Sequence, residues 1–285
     1  MINKIFFISD FFAEQISGGG EINDLALMSL LKSGNREIST LNSHKVTPDI
    51  ISSKHSDGYK FIVSNFVNLN KECKEILTSI CDYVIIEHDH KYLLSRNPAE
   101  FENYQAPKEA IINYDFYRSA KSVFCQSAFH MDIVNKNLHI DNLINLSGNL
   151  WPLEHFKILE TMSKVEKSDS YAIVNYSTAH KNTAGAIKYC LDNNIEYNLI
   201  DPSSPEEFLR KLGENKGLVF FPQTPETMSR IVVEARMMDM RVLTTKNVGA
   251  LGEKWFSKKG IDLIQYMCHT KRVKIPESII GGLRG

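Results

Sequence analysis

Leu218–Ala235 reads LVFFPQTPETMSRIVVEA, and the reading of the whole chain turns on it. The apolar run Leu218–Phe221 ends in Pro222 and a short polar turn. Glu226 then opens a segment in which Met228, Ile231, Val232 and Ala235 fall at helical spacing, with Glu234 following. The pattern predicts a buried strand, a turn and a helix, with Glu226 at the helix mouth and Glu234 two turns further in. A helix N-terminus offers unpaired N–H groups and the positive end of a dipole, which suits a phosphate. Two carboxylates beside it would repel phosphate alone, so they point to a ligand that also presents hydroxyls. The plainer alternative is an amphipathic helix carrying two solvated glutamates.

Composition sets the frame around this stretch. A chain of 285 residues has room for one large or two medium domains and a sizeable core. Its 43% hydrophobic and 24% charged residues are ordinary for a globular protein. A formal charge of −1 argues against a surface that coats polyanions, though not against a local basic groove. Five cysteines without CxxC pairs fit reduced thiols better than a disulfide framework or a zinc site. The N-terminal apolar run is broken at Ser9 and Asp10, too early for a signal peptide. No apolar run approaches the ~20 residues of a membrane span. The expectation is a cytoplasmic protein.

Working outward, apolar runs and amphipathic segments alternate through the chain. Lys4–Ser9, Glu37–Leu41, Tyr59–Val63, Tyr83–Ile86 and Ser122–Gln126 read as strands, with helices over Ile22–Leu31, Leu69–Ile80, Ala110–Ala120 and Ser127–Lys136. Between the first strand and helix stands the glycine-rich loop Ser17-Gly18-Gly19-Gly20-Glu21, which lets backbone approach a ligand closely. It lacks both the G-x-G-x-x-G spacing and the Gly-Lys-Ser/Thr of a P-loop. Tyr83–Ile86 runs into Glu87, His88, Asp89 and His90, with Arg96 beyond, at a strand end where ligands of open α/β sheets collect. No third metal ligand accompanies the two histidines at useful spacing, so substrate contact or acid–base work is the better reading. The pattern breaks around Ser147–Pro152 (SGNLWP) and Leu153–Ser170 turns mostly charged, which places a domain boundary between 1–150 and 151–285. Alternation resumes at Tyr171–Asn175, followed by Lys181 at a helix start, where a point charge suits a phosphate.

Glu226, seven residues and Glu234, placed after a strand–Pro turn and followed by Met240–Leu243 and Gly249–Ala250, resemble the retaining glycosyltransferases of the GT-B fold, family 4 among them. The strand–GGGE–helix opening is similar to the first loop of such enzymes, and Lys181 to a basic residue that neutralises the donor diphosphate. Thr227–Arg230 stand where that family carries small, glycine-rich residues, and Asn182 where glycine is usual. The resemblance implies an α/β protein of two Rossmann-like domains facing across a cleft, and glycosyl transfer from a nucleotide sugar, with UDP as the expected nucleotide, to a hydroxyl with retention. It implies that Glu226 faces the donor sugar and Glu234 the ribose, with Gly19, Gly20, Lys181 and Arg230 also on the donor. His88 and Asp89 are the further catalytic candidates, and Glu87, His90 and Arg96 the acceptor candidates, with no metal and no cofactor beyond the co-substrate. The middle segment EHDHKYLLSRNPAEF…INYDFYRSAKSVFCQSAFH resembles glycosyltransferases encoded by bacteriophages, some of which modify DNA. That implies double-stranded DNA carrying 5-hydroxymethylcytosine as the leading acceptor, with Lys91, Arg96, Lys108, Arg118 and Lys121 lining a groove in the host cytoplasm. A saccharide or lipid-linked glycan is the alternative acceptor. The rival classes are a non-enzymatic nucleotide-binding Rossmann module and a sugar-phosphate epimerase or phosphorylase.

Overall fold

In the computed structural model, which describes residues 2–16 and 18–284, the chain divides into two compact units: Met1–Leu150 with Arg272–Gly285, and Trp151–Lys271. The first unit runs β1 (Lys4–Ser9), α1 (Gly19–Ser33), β2 (Glu37–Asn42), α2 (Pro48–Ser56), β3 (Lys60–Val63), α3 (Lys71–Ile80), β4 (Tyr83–Ile86), α4 (Tyr114–Ser119), β5 (Ser122–Cys125), α5 (Ala128–Leu138) and β6 (Leu143–Asn145). Its sheet has the order β2-β1-β3-β4-β5-β6 with every pairing parallel. Strands buried on both faces are continuous apolar runs, as YVII of β4 is. Phe6, Ile8, Phe61, Val63 and Ile85 face one apolar cluster, while Ile5, Phe7, Ile62, Val84 and Ile86 face the other, under α1.

The second unit runs α6 (Leu153–Ser163), β7 (Ser168–Val174), α7 (Thr183–Asp192), β8 (Tyr197–Ile200), α8 (Pro205–Gly213), β9 (Asn215–Phe220), α9 (Arg230–Met237), β10 (Arg241–Thr244) and α10 (Gly260–Gln265). Its parallel sheet is ordered β10-β9-β7-β8. Gly217 of β9 is needed for close approach: a Cβ there would lie 2.2 Å from the Tyr171 ring on β7. The last helix, α11 (Arg272–Gly282), clusters with the first unit, so placing all of 151–285 in one domain is corrected. The reason is packing: Ile275, Ile279, Ile280 and Leu283 join the apolar cluster under α1. A Cβ on Gly282 would come within 2.8 Å of the Phe124 ring and Ser122 Oγ, which shows how tightly α11 sits against β5.

Candidate functional site

In an open parallel sheet, ligands collect outside the strand carboxyl ends where the strand order reverses. In the second unit the chain leaves β7 for β8 on one side and comes back to β9 on the other, so the reversal lies between β7 and β9. Lys181 follows β7 in the short 3-10 turn Ala179–Lys181, and Glu226 follows β9. Their side chains meet across the gap, Lys181 Nζ lying 2.6 Å from Glu226 Oε1 with 25% and 15% of the two side chains exposed. Backbone fixes both ends of this pair. Asn182 takes the left-handed conformation (φ 58°), accepts from the Gly185 N–H and donates to the Phe221 carbonyl, tying the turn after β7 to that after β9. Glu226 donates its N–H to the Asn247 carbonyl at 2.7 Å and accepts from the Gly249 N–H at 2.9 Å.

Those backbone bonds also correct the expected helix start. Glu226 is committed to an isolated parallel bridge with Val248, and Ser229 has φ 68°, so α9 begins at Arg230. Glu234 therefore lies one turn into the helix, beside Arg230, with Nε 3.7 Å from Oε1. The Trp151 indole Nε1–H donates to the same oxygen at 2.8 Å. The Arg230 guanidinium rests over the Trp151 ring, 4.5 Å from its centroid. Tyr176 lies under Lys181, whose Nζ is 5.6 Å from the ring centroid. Burial pushes the Tyr176 hydroxyl above its usual range, and the charges of Glu226 and Glu234 push it further, so one tyrosine feels both carboxylates. His155 is held below its ordinary value by burial and by Arg230, with Glu234 opposing. The arrangement is two cations, each beside a carboxylate: groups for a diphosphate and acceptors for hydroxyls, in one neutral cluster.

In the first unit the reversal lies between β1 and β3. Ser9, Ser64, His88 and Gln126 stand two residues past Phe7, Ile62, Ile86 and Phe124, which all face α1. Asp24 of α1 meets this row: its Oδ1 is 3.3 Å from His88 Nε2, and Gln126 Nε2 contacts His88 Nδ1. Both ring nitrogens of His88 are thus engaged within the protein. Glu21 accepts from Asn65 at 3.1 Å, and α1 starts at Gly19 with Gly18 supplying no side-chain cap. A Cβ on Gly20 would lie 3.6 Å from the His88 ring, so the glycine loop lies against that histidine. Ser17 lies outside the described residues.

The rest of the His–acid cluster faces inward. Glu87 is fully buried, pairing with Lys91 Nζ at 3.0 Å, accepting from the Asp89 N–H at 2.9 Å and from the Tyr117 hydroxyl. Burial would raise its pKa, but Lys91, His130 and Tyr117 outweigh that and hold it below the usual carboxylate range. His90 is buried against Tyr92 and His130. Neither Glu87 nor His90 presents a surface to an acceptor, so the expected contacts are corrected: alternation turns Glu87 away from the row that His88 joins, and the left-handed backbone at His90 (φ 60°) turns that ring in against Tyr92 and His130. Asp89, with 43% of its side chain exposed, is held between Lys91 Nζ at 2.6 Å and Arg96 Nη1 at 3.0 Å. Lys91 is buried and cannot line a groove, while Lys121 pairs with Asp82 at 3.4 Å. Lys108 borders a separate cavity of about 560 Å³ with Tyr114, Lys136 and His139.

These buried histidines predict acid sensitivity. Burial lowers His90 to about 4, against the fields of Glu87 and Asp89 and with that of Lys91, and it lowers His130 well below the ordinary value, with His90 adding to the shift. Unfolded histidine takes up a proton near pH 6.5, so the unfolded state binds more protons between there and pH 4. Stability is full above about pH 6.5 and lost as the pH falls, by about 3 kcal/mol from His90 alone. Urea melts at pH 7.5, 6 and 5 should show a falling midpoint, and a flat profile would contradict this assignment.

No protein-family model and no curated protein matches the sequence. Solved structures do resemble it. Anabaena HepE in complex with UDP and glucose aligns over 99% of this chain and 95% of its own at 11% identity, with a TM-score of 0.52. The same protein with UDP-glucose aligns over 99% and 94% at 12% identity, again with 0.52. An alpha-glucosyltransferase in complex with UDP and a 13-mer DNA containing an HMU base aligns over 98% and 94% at 11% identity, with a TM-score of 0.49, below the level at which a likeness bears on this chain. The likeness to HepE is one of fold: this chain is an α/β protein of two Rossmann-like domains, the GT-B architecture.

Four residues that sequence reasoning missed complete the two clusters. Trp151 was visible only as part of a boundary, and Tyr176 as one residue in a polar strand end. Asp24 sits inside an amphipathic helix, where an acid reads as solvated. Gln126 carried a usable signal, since it stands two past Phe124 as His88 stands two past Ile86. Among the described residues no group of three or more His, Cys, Asp or Glu is placed to hold a metal ion, and no helix is long and apolar enough to cross a membrane.

Proposed function

We propose that this chain is a glycosyltransferase that moves a sugar from a nucleotide sugar, UDP-linked as in the HepE complexes, to a hydroxyl acceptor with retention. The observation that carries the reading is the Lys181–Glu226 pair spanning the β7/β9 reversal beside Arg230 and Glu234. In the step, the acceptor oxygen bonds to the anomeric carbon on the face the leaving group departs from. The bond from that carbon to the diphosphate oxygen breaks, its electron pair leaves with the nucleoside diphosphate, and the acceptor proton passes to that oxygen. Lys181 and Arg230 stabilise the charge gathering there, while Glu226 and Glu234 accept hydrogen bonds from sugar and ribose hydroxyls. Gly19 and Gly20, the donor candidates of the first unit, open α1 there with no side-chain cap on its N–H groups. His88 would enter the chemistry only by releasing Asp24 or Gln126, and Asp89 only by releasing a cation. No resident cofactor or metal is part of this proposal.

The leading acceptor is 5-hydroxymethylcytosine in double-stranded DNA, on the resemblance of the middle segment to bacteriophage enzymes. A saccharide acceptor is the second reading, favoured by the burial of Lys91 and the acid partners of Arg96 and Lys121. Incubation of hydroxymethylated DNA, plain DNA and an oligosaccharide panel with UDP-glucose and related donors, followed by intact-mass and nucleoside analysis, separates them. A hexose-sized gain on hydroxymethylated DNA alone supports the DNA acceptor. Transfer to an oligosaccharide selects the second reading, and no transfer with no UDP release from any donor overturns the glycosyltransferase assignment.

A further inference from the structure

Trp151 is the first residue of the second unit, fully buried in its main apolar cluster. A buried tryptophan usually finds one acceptor for its N–H. Here that acceptor is a carboxylate: Nε1–H reaches Glu234 Oε1 at 2.8 Å. The same ring carries the Arg230 guanidinium on its face at 4.5 Å, and Arg230 Nε lies 3.7 Å from that carboxylate oxygen. Glu234 is 7% exposed, so a wrongly turned carboxylate has little water to meet. One rigid side chain thus sets both the rotation of the carboxylate and the height of the guanidinium. An exposed Arg–Glu pair four apart on a helix would slide among many arrangements.

We propose that Trp151 is a positioning residue of the donor site: its indole N–H and ring face fix Glu234 and Arg230 at the spacing that a nucleoside diphosphate needs. The inference rests on the donor-site reading above. With Oε1 fixed by the indole, Oε2 is the atom presented to a ribose hydroxyl, and Arg230 is kept from collapsing onto it. The role lies in binding geometry, so it governs affinity for the nucleotide more than the rate of the transfer step.

A double-mutant cycle on UDP affinity, measured by calorimetry, tests this. Trp151→Phe keeps a ring under Arg230 and removes the N–H, and is expected to weaken UDP about tenfold, the scale of one hydrogen bond to a charged group. In a Glu234→Ala background the same change should weaken UDP less than about twofold, because the acceptor it acts through is gone. Effects that multiply independently would make Trp151 a packing residue and overturn the proposal. The protein has two tryptophans, so an indole ¹⁵N–¹H spectrum of the unmodified protein gives a second reading that needs no Trp151 variant. The Trp151 peak should move on adding UDP and on Glu234→Gln while the Trp255 peak stays, and a Trp151 peak indifferent to both overturns it. If the unmodified protein binds neither UDP nor UDP-glucose, the donor-site reading itself fails, a result distinct from a wild-type affinity that Trp151→Phe leaves unchanged.

Discussion

Glu226→Gln is expected to lower turnover by about two to three orders of magnitude, the usual effect of removing one group that stabilises charge in a transition state, while tightening UDP binding several-fold. The two effects point in opposite directions for one reason. Glu226 Oε1 lies 2.6 Å from Lys181 Nζ, so in the free protein the carboxylate occupies the cation that a diphosphate would use. The donor must displace it, and the freed carboxylate then turns to the sugar hydroxyls. The amide holds Lys181 less tightly and does not repel phosphate, which lowers the barrier to UDP entry. It is also a weaker partner for the developing charge on the sugar. The fold should be indifferent, because the backbone of Glu226 holds its place through Asn247 and Gly249, and the amide preserves the shape. Steady-state kinetics and UDP calorimetry on the same sample are the check. A folded variant with wild-type turnover would remove Glu226 from the chemistry, and weaker UDP binding would show that the carboxylate presents Lys181 instead of competing for it.

How much of this was legible in the sequence depended on burial and on local rules. The central strands were readable because a parallel strand covered on both faces is a continuous apolar run: Tyr83–Ile86 matches β4 residue for residue. The helix expected from Ser127 was readable for a local reason: a serine at that position caps it, and Ser127 accepts from the His130 N–H at 3.0 Å. What escaped lacked such signals. In α2 only Ile51 is buried, and β6 is a three-residue edge strand. The closing helix α11 carries Pro276 and two glycines, so its sequence reads as a tail, and only contact with β5 and the cluster under α1 explains it. Within the site, the sequence marked Lys181 and Glu226 singly, and the strand order brings them together, since each lies in the turn after a strand that flanks the reversal. Asn182 and Ser229 stand where the family resemblance leads one to expect glycine, and both adopt the left-handed backbone that glycine takes easily. The EHDH cluster went the other way. Its residue types suggested an exposed site, but alternation sends His88 to one side and buries Glu87 with Lys91, a partner four residues on.

That buried pair gives the largest expected effect on stability. Lys91→Met should cost about 3–5 kcal/mol, because removing one partner strands a charge without its counter-ion. Side-chain exposure is 1% for Lys91 and 0% for Glu87. Glu87 would keep the Tyr117 hydroxyl and the Asp89 N–H but lose the cation that outweighs its burial. Its carboxyl then favours the protonated form, which reverses the linkage at this residue. A carboxylate whose folded pKa is raised contributes stability that is present at low pH and lost as the pH rises. The deficit of Lys91→Met relative to wild type should therefore grow from pH 5 to pH 8, over the same range in which the wild type gains stability from its neutral histidines. Replacing both partners, Glu87→Leu with Lys91→Met, removes the stranded charge and leaves the Tyr117 hydroxyl and the Asp89 N–H to re-house, with the half-exposed Asp89 carboxylate keeping Arg96. The double variant should recover most of the loss, as apolar replacements of buried pairs generally do. Urea melts of wild type, single and double variants at the two pH values read all three terms. A single variant as stable as wild type at pH 8 would mean that Glu87 reaches water when Lys91 is gone, and the inward-facing account of the cluster would fall with it.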